Sequence, residues 1–178
     1  AGSNRLNRYT VRRAAQGMAA WLSSTDLPKK AAIGYDSRHN SQLFAEVCAV
    51  AFAEAGIQTY LYDRLAPTPM LSFAVRQLGC GCGIVISASH NAFYDNGIKV
   101  INRYGEKLDD KTTALIEAYI DGELDVLGVE GDDLPLAKAE KVGAIIDYVA
   151  GRNRYVAYLI SLASNSYKNL KIGIDCAN

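Results

Sequence analysis

A group of polar residues follows an apolar run in the stretch 83–91, which reads GIVISASHN. The first four residues are typical of a buried strand. The polar residues come directly after it: Ser87, Ser89, His90 and Asn91. A serine can act as a nucleophile or carry a transferred group, and histidine and asparagine can stabilise charge beside it. The pattern therefore indicates a loop, at the end of a strand, with the residue types of group-transfer chemistry.

Three interpretations of Ser89 are open. A hydrolase nucleophile needs a base and the tight Gly-x-Ser-x-Gly turn, but positions 87 and 91 are serine and asparagine. His90 is its sequence neighbour and therefore poorly placed as that base, and His39 is the only other histidine. In a structural interpretation, Ser89 satisfies backbone groups of the loop. In the third interpretation Ser89 carries a phosphoryl group.

A serine phosphate needs cations and hydrogen-bond donors around it. His90, Asn91 and Lys99 are close in sequence, and Arg38 follows another predicted strand. Lys99 lies in the apolar run GIKVIN, so it either lies on a solvated strand face or points into a site as an acid/base group. No Gly-Lys-Ser/Thr phosphate loop occurs, and GCGCG at 79–83 precedes a strand, which favours a turn or close packing over a dinucleotide site.

The elements around these residues alternate between strand and helix patterns. Apolar periodicity predicts helices at 10–24 (with Thr10 as N-cap), 41–56, 71–78, 109–121 and 144–163, and strands at 31–36, 57–63, 83–88, 97–102 and 170–178. A turn is expected at 66–70 and an exposed connection at 122–143. This order predicts a layered α/β domain with a sheet that is parallel in its centre.

Composition narrows the function class. The 178 residues are 49% hydrophobic and 21% charged, and 19 basic residues balance 19 acidic ones. This balance argues against a nucleic-acid or membrane-surface binder. No apolar run is long enough to span a bilayer and the first residues are polar, so we expect a cytoplasmic protein. The cysteines are few and irregularly spaced, which favours reduced thiols over disulfides or zinc.

Several motifs together resemble the α-D-phosphohexomutases, the phosphoglucomutase and phosphomannomutase family. SASHN followed by DNGIKV is similar to the phosphoserine loop of that family, and GYDSRHNS resembles its Gly-x-Asp-x-Arg segment. The stretches NRYTVRRAAQG, PTP and LKIGIDCAN are similar to its first helix, its Thr-Pro turn and the first strand of its second domain. Position 92 is alanine where the family usually has proline.

The resemblance implies a role for each matching residue. Ser89 would be the phosphorylated serine, and its phosphate would also ligate Mg²⁺. His90 and Asn91 would be its loop neighbours and shape the site, His90 as a catalytic residue and Asn91 as one that binds the substrate phosphate. Lys99 would be an acid/base group, and Arg38 would be an electrostatic partner that binds the substrate phosphate. The implied reaction moves phosphate between O1 and O6 of a hexose phosphate through a hexose 1,6-bisphosphate, which also serves as activator.

The resemblance also implies a domain organisation. Residues 1–166 would form the first domain, a mixed, mainly parallel sheet between helices that lacks the family's first strand. Residues 167–178 would begin a second domain. The remaining metal ligands and the sugar-specificity loop would belong to later domains of the parent chain, so this part alone would be inactive. Glucose or mannose phosphate is the expected substrate; a phosphoglucosamine mutase and a non-catalytic sugar-phosphate binding domain are the alternatives.

Overall fold

A five-stranded sheet forms the centre of the chain. We describe a computed structural model that covers residues 6–128 and 136–175. The strands are β1 (Lys30–Tyr35), β2 (Gln58–Leu61), β3 (Cys82–Ile86), β4 (Ile98–Asn102) and β5 (Ile145–Asp147). Their order is β4-β3-β1-β2-β5, and all pairs are parallel except β3 with β4. The predicted mixed, mainly parallel sheet is confirmed.

Helices cover both faces of this sheet. They are α1 (Arg8–Ser24), α2 (Ser41–Glu54), α3 (Thr68–Leu78), α4 (Asp110–Ile120) and α5 (Gly151–Ser161). Ile33 and Ile84 pack with α1, α2 and α4 on one face, whereas Ala32 and Val85 pack with α3 on the other. Because β1 and β3 are buried on both faces, they read as continuous apolar runs. No helix in the described ranges has the length and hydropathy of a membrane span.

The first helix begins earlier than its predicted cap at Thr10. Asn7 is the N-cap, and its Oδ1 accepts hydrogen bonds from the backbone N–H groups of Tyr9 (2.8 Å) and Thr10 (3.1 Å). The Thr10 hydroxyl in turn accepts the N–H of Asn7 at 2.9 Å. This reciprocal pair is a capping box, in which Thr10 is the third helical residue, so the prediction was wrong by three positions.

The predicted turn at 66–70 is partly helix. Pro67 is the N-cap of α3, and Thr68 and Pro69 form its first turn. A proline is tolerated there because the first N–H groups of a helix have no partner within the helix. The turn therefore ends earlier than predicted, at Pro67, and Thr68 lies at the start of α3.

The helix predicted over 144–163 is wrong in its first third. Residues Ile145–Asp147 form β5, an edge strand parallel to β2, and α5 begins only at Gly151. Backbone pairing holds this strand: the Thr59 N–H donates to the Ala144 carbonyl at 2.8 Å and the Tyr148 N–H to the Leu61 carbonyl at 2.7 Å. The pairing partner, β2, lies more than 80 residues earlier in the chain. Pairing with β2 makes this segment a strand and overrides its local helical periodicity.

The connection predicted over 122–143 differs from the structure in part. It contains two short 3₁₀ helices, and Leu127 is buried in the core; residues 129–135 lie outside the described residues.

The strand predicted over 170–178 is absent from its described part. Residues 170–175 are exposed and join no described strand, and residues 176–178 are not described. A strand is stable only when its backbone groups are paired. The division at residue 166 stays a prediction.

The glycines of GCGCG serve turn and packing roles, as predicted. Gly79 follows α3 with a φ of 61°, a left-handed conformation that glycine adopts without steric cost. Gly83 lies on β3 where α3 crosses it, and a Cβ at this position would meet Val75 Cγ2 at 2.5 Å. The close approach of α3 to β3 therefore depends on the missing side chain.

Replacing Gly83 by alanine is expected to lower the free energy of unfolding by about 1–3 kcal/mol, the usual cost of overpacking a core. The methyl group would also meet Leu71 Cδ2 at 3.3 Å, so α3 must move outward. Urea denaturation of the variant checks this. The matched control is Gly173→Ala, because Gly173 is exposed and no atom lies within 4 Å of an added Cβ. Equal stability of Gly83→Ala and wild type would contradict the packing argument.

Candidate active site

The polar residues after β3 form a loop at the carboxyl end of the sheet. This loop, residues 87–97, connects β3 to the antiparallel β4, and it lies beside the loop that follows β1. The His39 N–H donates to the Phe93 carbonyl at 3.1 Å, which joins the two loops. Carboxyl ends of neighbouring parallel strands meet at one edge, which is where ligand sites of open α/β sheets occur.

Ser89 is at the exposed tip of this loop. Its φ is 57°, a left-handed conformation that is unfavourable for a residue with a side chain. Its N–H donates to the Ser87 hydroxyl at 3.1 Å, and the Asn91 N–H closes a turn onto the Ala88 carbonyl at 3.2 Å. Residues held in such conformations concentrate at functional sites. The loop thus presents the Ser89 side chain to solvent at a sharply turned backbone.

The Arg38 guanidinium lies beneath the loop. Its Nε donates to Asp36 Oδ2 at 3.0 Å, and its Nη1 donates to the carbonyl oxygens of Asn91 (2.8 Å) and Ala92 (2.7 Å). Nη2 donates to the carbonyl oxygen of Ser89. The side chain is only 9% exposed. The structure therefore brings Arg38 together with Ser89 and Asn91, through their backbone atoms.

Lys99 lies on β4 next to the carboxyl end of β3. The register pairs it with Val85, four positions before Ser89, and it is half-buried. It lines a cavity of about 530 Å³ together with Thr68 at the start of α3 and Lys107. Lys99 is thus on the wall of a cavity formed by β4, the start of α3 and the segment after β4. His90 and Asn91 have exposed side chains on the loop itself.

Three supporting residues were missed by sequence reasoning. Asp36 Oδ1 accepts hydrogen bonds from the Arg38 N–H (3.1 Å) and the Ser41 hydroxyl (3.0 Å). The Asn96 side-chain amide donates to the same hydroxyl at 2.9 Å and to the His39 carbonyl at 3.0 Å. The signal was present, because Asp36 and Asn96 lie inside the two polar motifs GYDSRHNS and DNGIKV. They cross-link the loops after β1 and β3.

The thiols lie away from the loop and in the core. Cys48, Cys80 and Cys82 are free and buried, and burial raises the pKa of the Cys48 and Cys80 thiols to about 12. Because the thiolate is the form that binds metals and attacks electrophiles, these thiols are inert. Cys176 lies outside the described residues. Within the described ranges no group of three or more His, Cys, Asp or Glu side chains converges on one point.

Comparison with known proteins decides the family. Residues 1–126 match the family model for phosphoglucomutase/phosphomannomutase, alpha/beta/alpha domain I. The chain belongs to the phosphoglucomutase/phosphomannomutase family. A phosphoglucosamine mutase from Lachnoclostridium phytofermentans is 45% identical over 158 residues, which are 89% of this chain and 34% of that protein. A phosphoglucomutase from Staphylococcus haemolyticus is 44% identical over 119 residues, covering 67% of this chain and 22% of that protein.

A solved structure shows the same fold. A phosphoglucomutase/phosphomannomutase family protein from Burkholderia thailandensis superposes with a TM-score of 0.68 at 17% identity, covering 89% of this chain and 33% of that chain. This phosphohexomutase-family chain spans about a third of the length of the phosphoglucosamine mutase that it matches. The fold of its described residues is that of the family's first domain.

Proposed function

We propose that this chain carries the phosphoserine loop of a phosphohexomutase, which moves a phosphoryl group between O1 and O6 of a hexose phosphate. The observation that supports this most is Ser89: an exposed hydroxyl on a left-handed residue, in a loop tied down from beneath by a buried guanidinium. A phosphoryl carrier must be accessible to the substrate and still fixed in position. Membership of the family supports the same assignment.

The reaction has two phosphoryl transfers. In the first, the bond between phosphorus and Ser89 Oγ breaks as a sugar hydroxyl oxygen bonds to the same phosphorus, which gives a hexose 1,6-bisphosphate. The proton of that hydroxyl passes to Lys99 Nζ. In the second, the bisphosphate has turned round: the bond between its other phosphorus and the sugar oxygen breaks as Ser89 Oγ bonds to that phosphorus, and the proton held by Lys99 passes to the freed sugar oxygen. Because His90 and Asn91 directly follow the serine, we assign them to shaping the phosphate site.

The described residues supply only part of the ligand set that a metal ion would need. Phosphate oxygens are ligands that Mg²⁺ prefers, so phosphorylated Ser89 would supply one ligand. The Asp36 carboxylate, which lies beneath the loop, is engaged by Arg38 and Ser41. The other ligands would therefore come from outside the described residues. When bound, Mg²⁺ offsets the negative charge of the phosphoryl oxygens during transfer.

Phosphopeptide mass spectrometry of the full-length protein, after incubation with hexose 1,6-bisphosphate, tests the proposal. We expect one phosphate per chain, on Ser89. The loop holds one other serine, and Ser87 is buried and accepts the Ser89 N–H, so Ser87→Ala should keep the phosphate. No phosphate on either serine would favour a binding domain without turnover.

The sugar is a separate question. Glucose or mannose phosphate is the first candidate, from the likeness of the first helix to that branch. Glucosamine phosphate is the second, favoured by the 45% identity to the Lachnoclostridium protein over most of this chain. Comparing kcat/KM for the three 1-phosphates and 6-phosphates in the full-length enzyme distinguishes them. The 178-residue chain assayed alone should show no turnover and bind Mg²⁺ weakly, which calorimetry can measure.

A further inference from the structure

Arg38 is bound to the loop more fully than a substrate-binding arginine would be. Its Nη1 and Nη2 donate to four backbone carbonyl oxygens, those of Ser89, Asn91, Ala92 and, at 3.4 Å, Asp95. Nε is taken by Asp36, so every nitrogen of the guanidinium already has an acceptor. A guanidinium has five N–H groups in a rigid plane, and here all three of its nitrogens donate to protein atoms.

The position of Arg38 in the fold supports an anchoring role. It follows β1, 51 positions before Ser89 in the chain, and its side chain is 9% exposed. Asp36 fixes it from the other side, since Oδ1 of the same carboxylate accepts the Arg38 N–H at 3.1 Å. Charge-assisted hydrogen bonds of this kind are strong, and stronger when solvent is excluded.

We propose that Arg38 is a positioning residue: it gathers the carbonyl groups of the loop and thereby holds Ser89 in its left-handed conformation for phosphoryl transfer. It acts through the backbone and does not contact the substrate phosphate. Without a cation at the centre, the four carbonyl oxygens would have no common donor, and the turn at Ser89 would lose what offsets its backbone strain. The catalytic part of this inference rests on the proposed function; the structural part does not.

The decisive variant is Arg38→Lys, which keeps the charge. An ammonium group is a compact donor on a flexible stem and does not reproduce the planar fork that reaches Asp36 and four carbonyls at once. Arg38→Lys should therefore behave like Arg38→Ala. In the full-length enzyme we expect kcat to fall roughly 10²-fold, because misplacing a reacting group by about 1 Å has an effect of that size. The KM should stay within a few-fold of the wild-type value.

Hydrogen exchange gives a readout that is independent of turnover. The amides of His39, Asn91 and Asp95 donate within or onto the loop, and in Arg38→Lys they should exchange at least about tenfold faster. Amides of β3 should be unchanged, which shows that the domain is folded. The matched control is Arg64→Lys, because Arg64 pairs with Asp63 but is 75% exposed. Should Arg38→Lys fail to fold, Asp36→Asn removes the charge that anchors Nε and should loosen the same amides by a smaller factor.

The outcomes separate cleanly. Wild-type kcat and exchange rates in Arg38→Lys would overturn the inference, because charge alone would then be sufficient. A raised KM at unchanged kcat would overturn it in favour of direct contact with the substrate phosphate, the role predicted from the family resemblance. Faster exchange at unchanged kcat would remove its catalytic part. If wild-type enzyme itself turns over no hexose phosphate, the proposed function fails, while the exchange measurement still tests the anchoring.

Discussion

Replacing Ser89 by alanine is expected to abolish mutase turnover in the full-length enzyme. In the proposed reaction the serine oxygen is the atom to which each phosphoryl group returns, so the variant has no route from one transfer to the next. We expect kcat to fall by more than about 10⁴-fold, since removing a nucleophile costs on the order of 10⁶-fold in a well-characterised protease. A coupled assay with hexose 1-phosphate as substrate measures this loss.

The same variant should leave the fold intact. Ser89 is exposed, and its side chain contributes little packing, so the free energy of unfolding should change by less than about 0.5 kcal/mol. Ser23→Ala is the matched control for both measurements, because Ser23 is an exposed serine on α1, away from the loop. Turnover of Ser89→Ala within tenfold of wild type would remove the phosphoserine assignment and, with it, the proposed reaction.

The elements that carry the candidate site could be predicted from the sequence. The run 83–86 is apolar at every position and ends abruptly at Ser87, so the strand and the loop after it are evident without a structure. The antiparallel return through Lys99 follows after a short loop, and short connections favour neighbouring strands. Local patterns were sufficient here because the information lies within about 20 residues.

The parts that were missed depend on distant partners. β5 forms because Ile145 and Ile146 pair with β2, and no local feature separates that segment from the start of α5. The target of Arg38 is equally non-local: its acceptors are backbone carbonyls, which every residue has, so no side-chain pattern indicates them. Sequence reasoning assigned Arg38 to phosphate binding because a serine phosphate needs cations around it; that assignment stays a prediction. The structure places its donors on the loop.

Replacing Lys99 by methionine is the sharpest test of the acid/base assignment. Lys99 pairs with Val85 in the register and lies on the wall of the cavity between β4 and the start of α3. In the proposed reaction a sugar hydroxyl must lose a proton as it accepts the phosphoryl group, and Lys99 carries an amine on β4, the strand that pairs with β3 just before the loop. Methionine keeps most of the side-chain volume and removes the base. We expect kcat in the full-length enzyme to fall by roughly 10²–10⁴-fold, the usual contribution of general acid–base catalysis.

The control for Lys99 lies in the same cavity. Lys107 also lines it, but its side chain is 84% exposed and pairs with Asp110 at 3.3 Å. Lys107→Met should therefore keep kcat within a few-fold of wild type, and both variants should unfold at nearly the wild-type denaturant concentration. If both lysine variants lose turnover equally, the cavity needs positive charge rather than a base at one position. If neither loses it, Lys99 is a solvated strand residue, and the proton acceptor belongs to a part of the protein beyond the residues described.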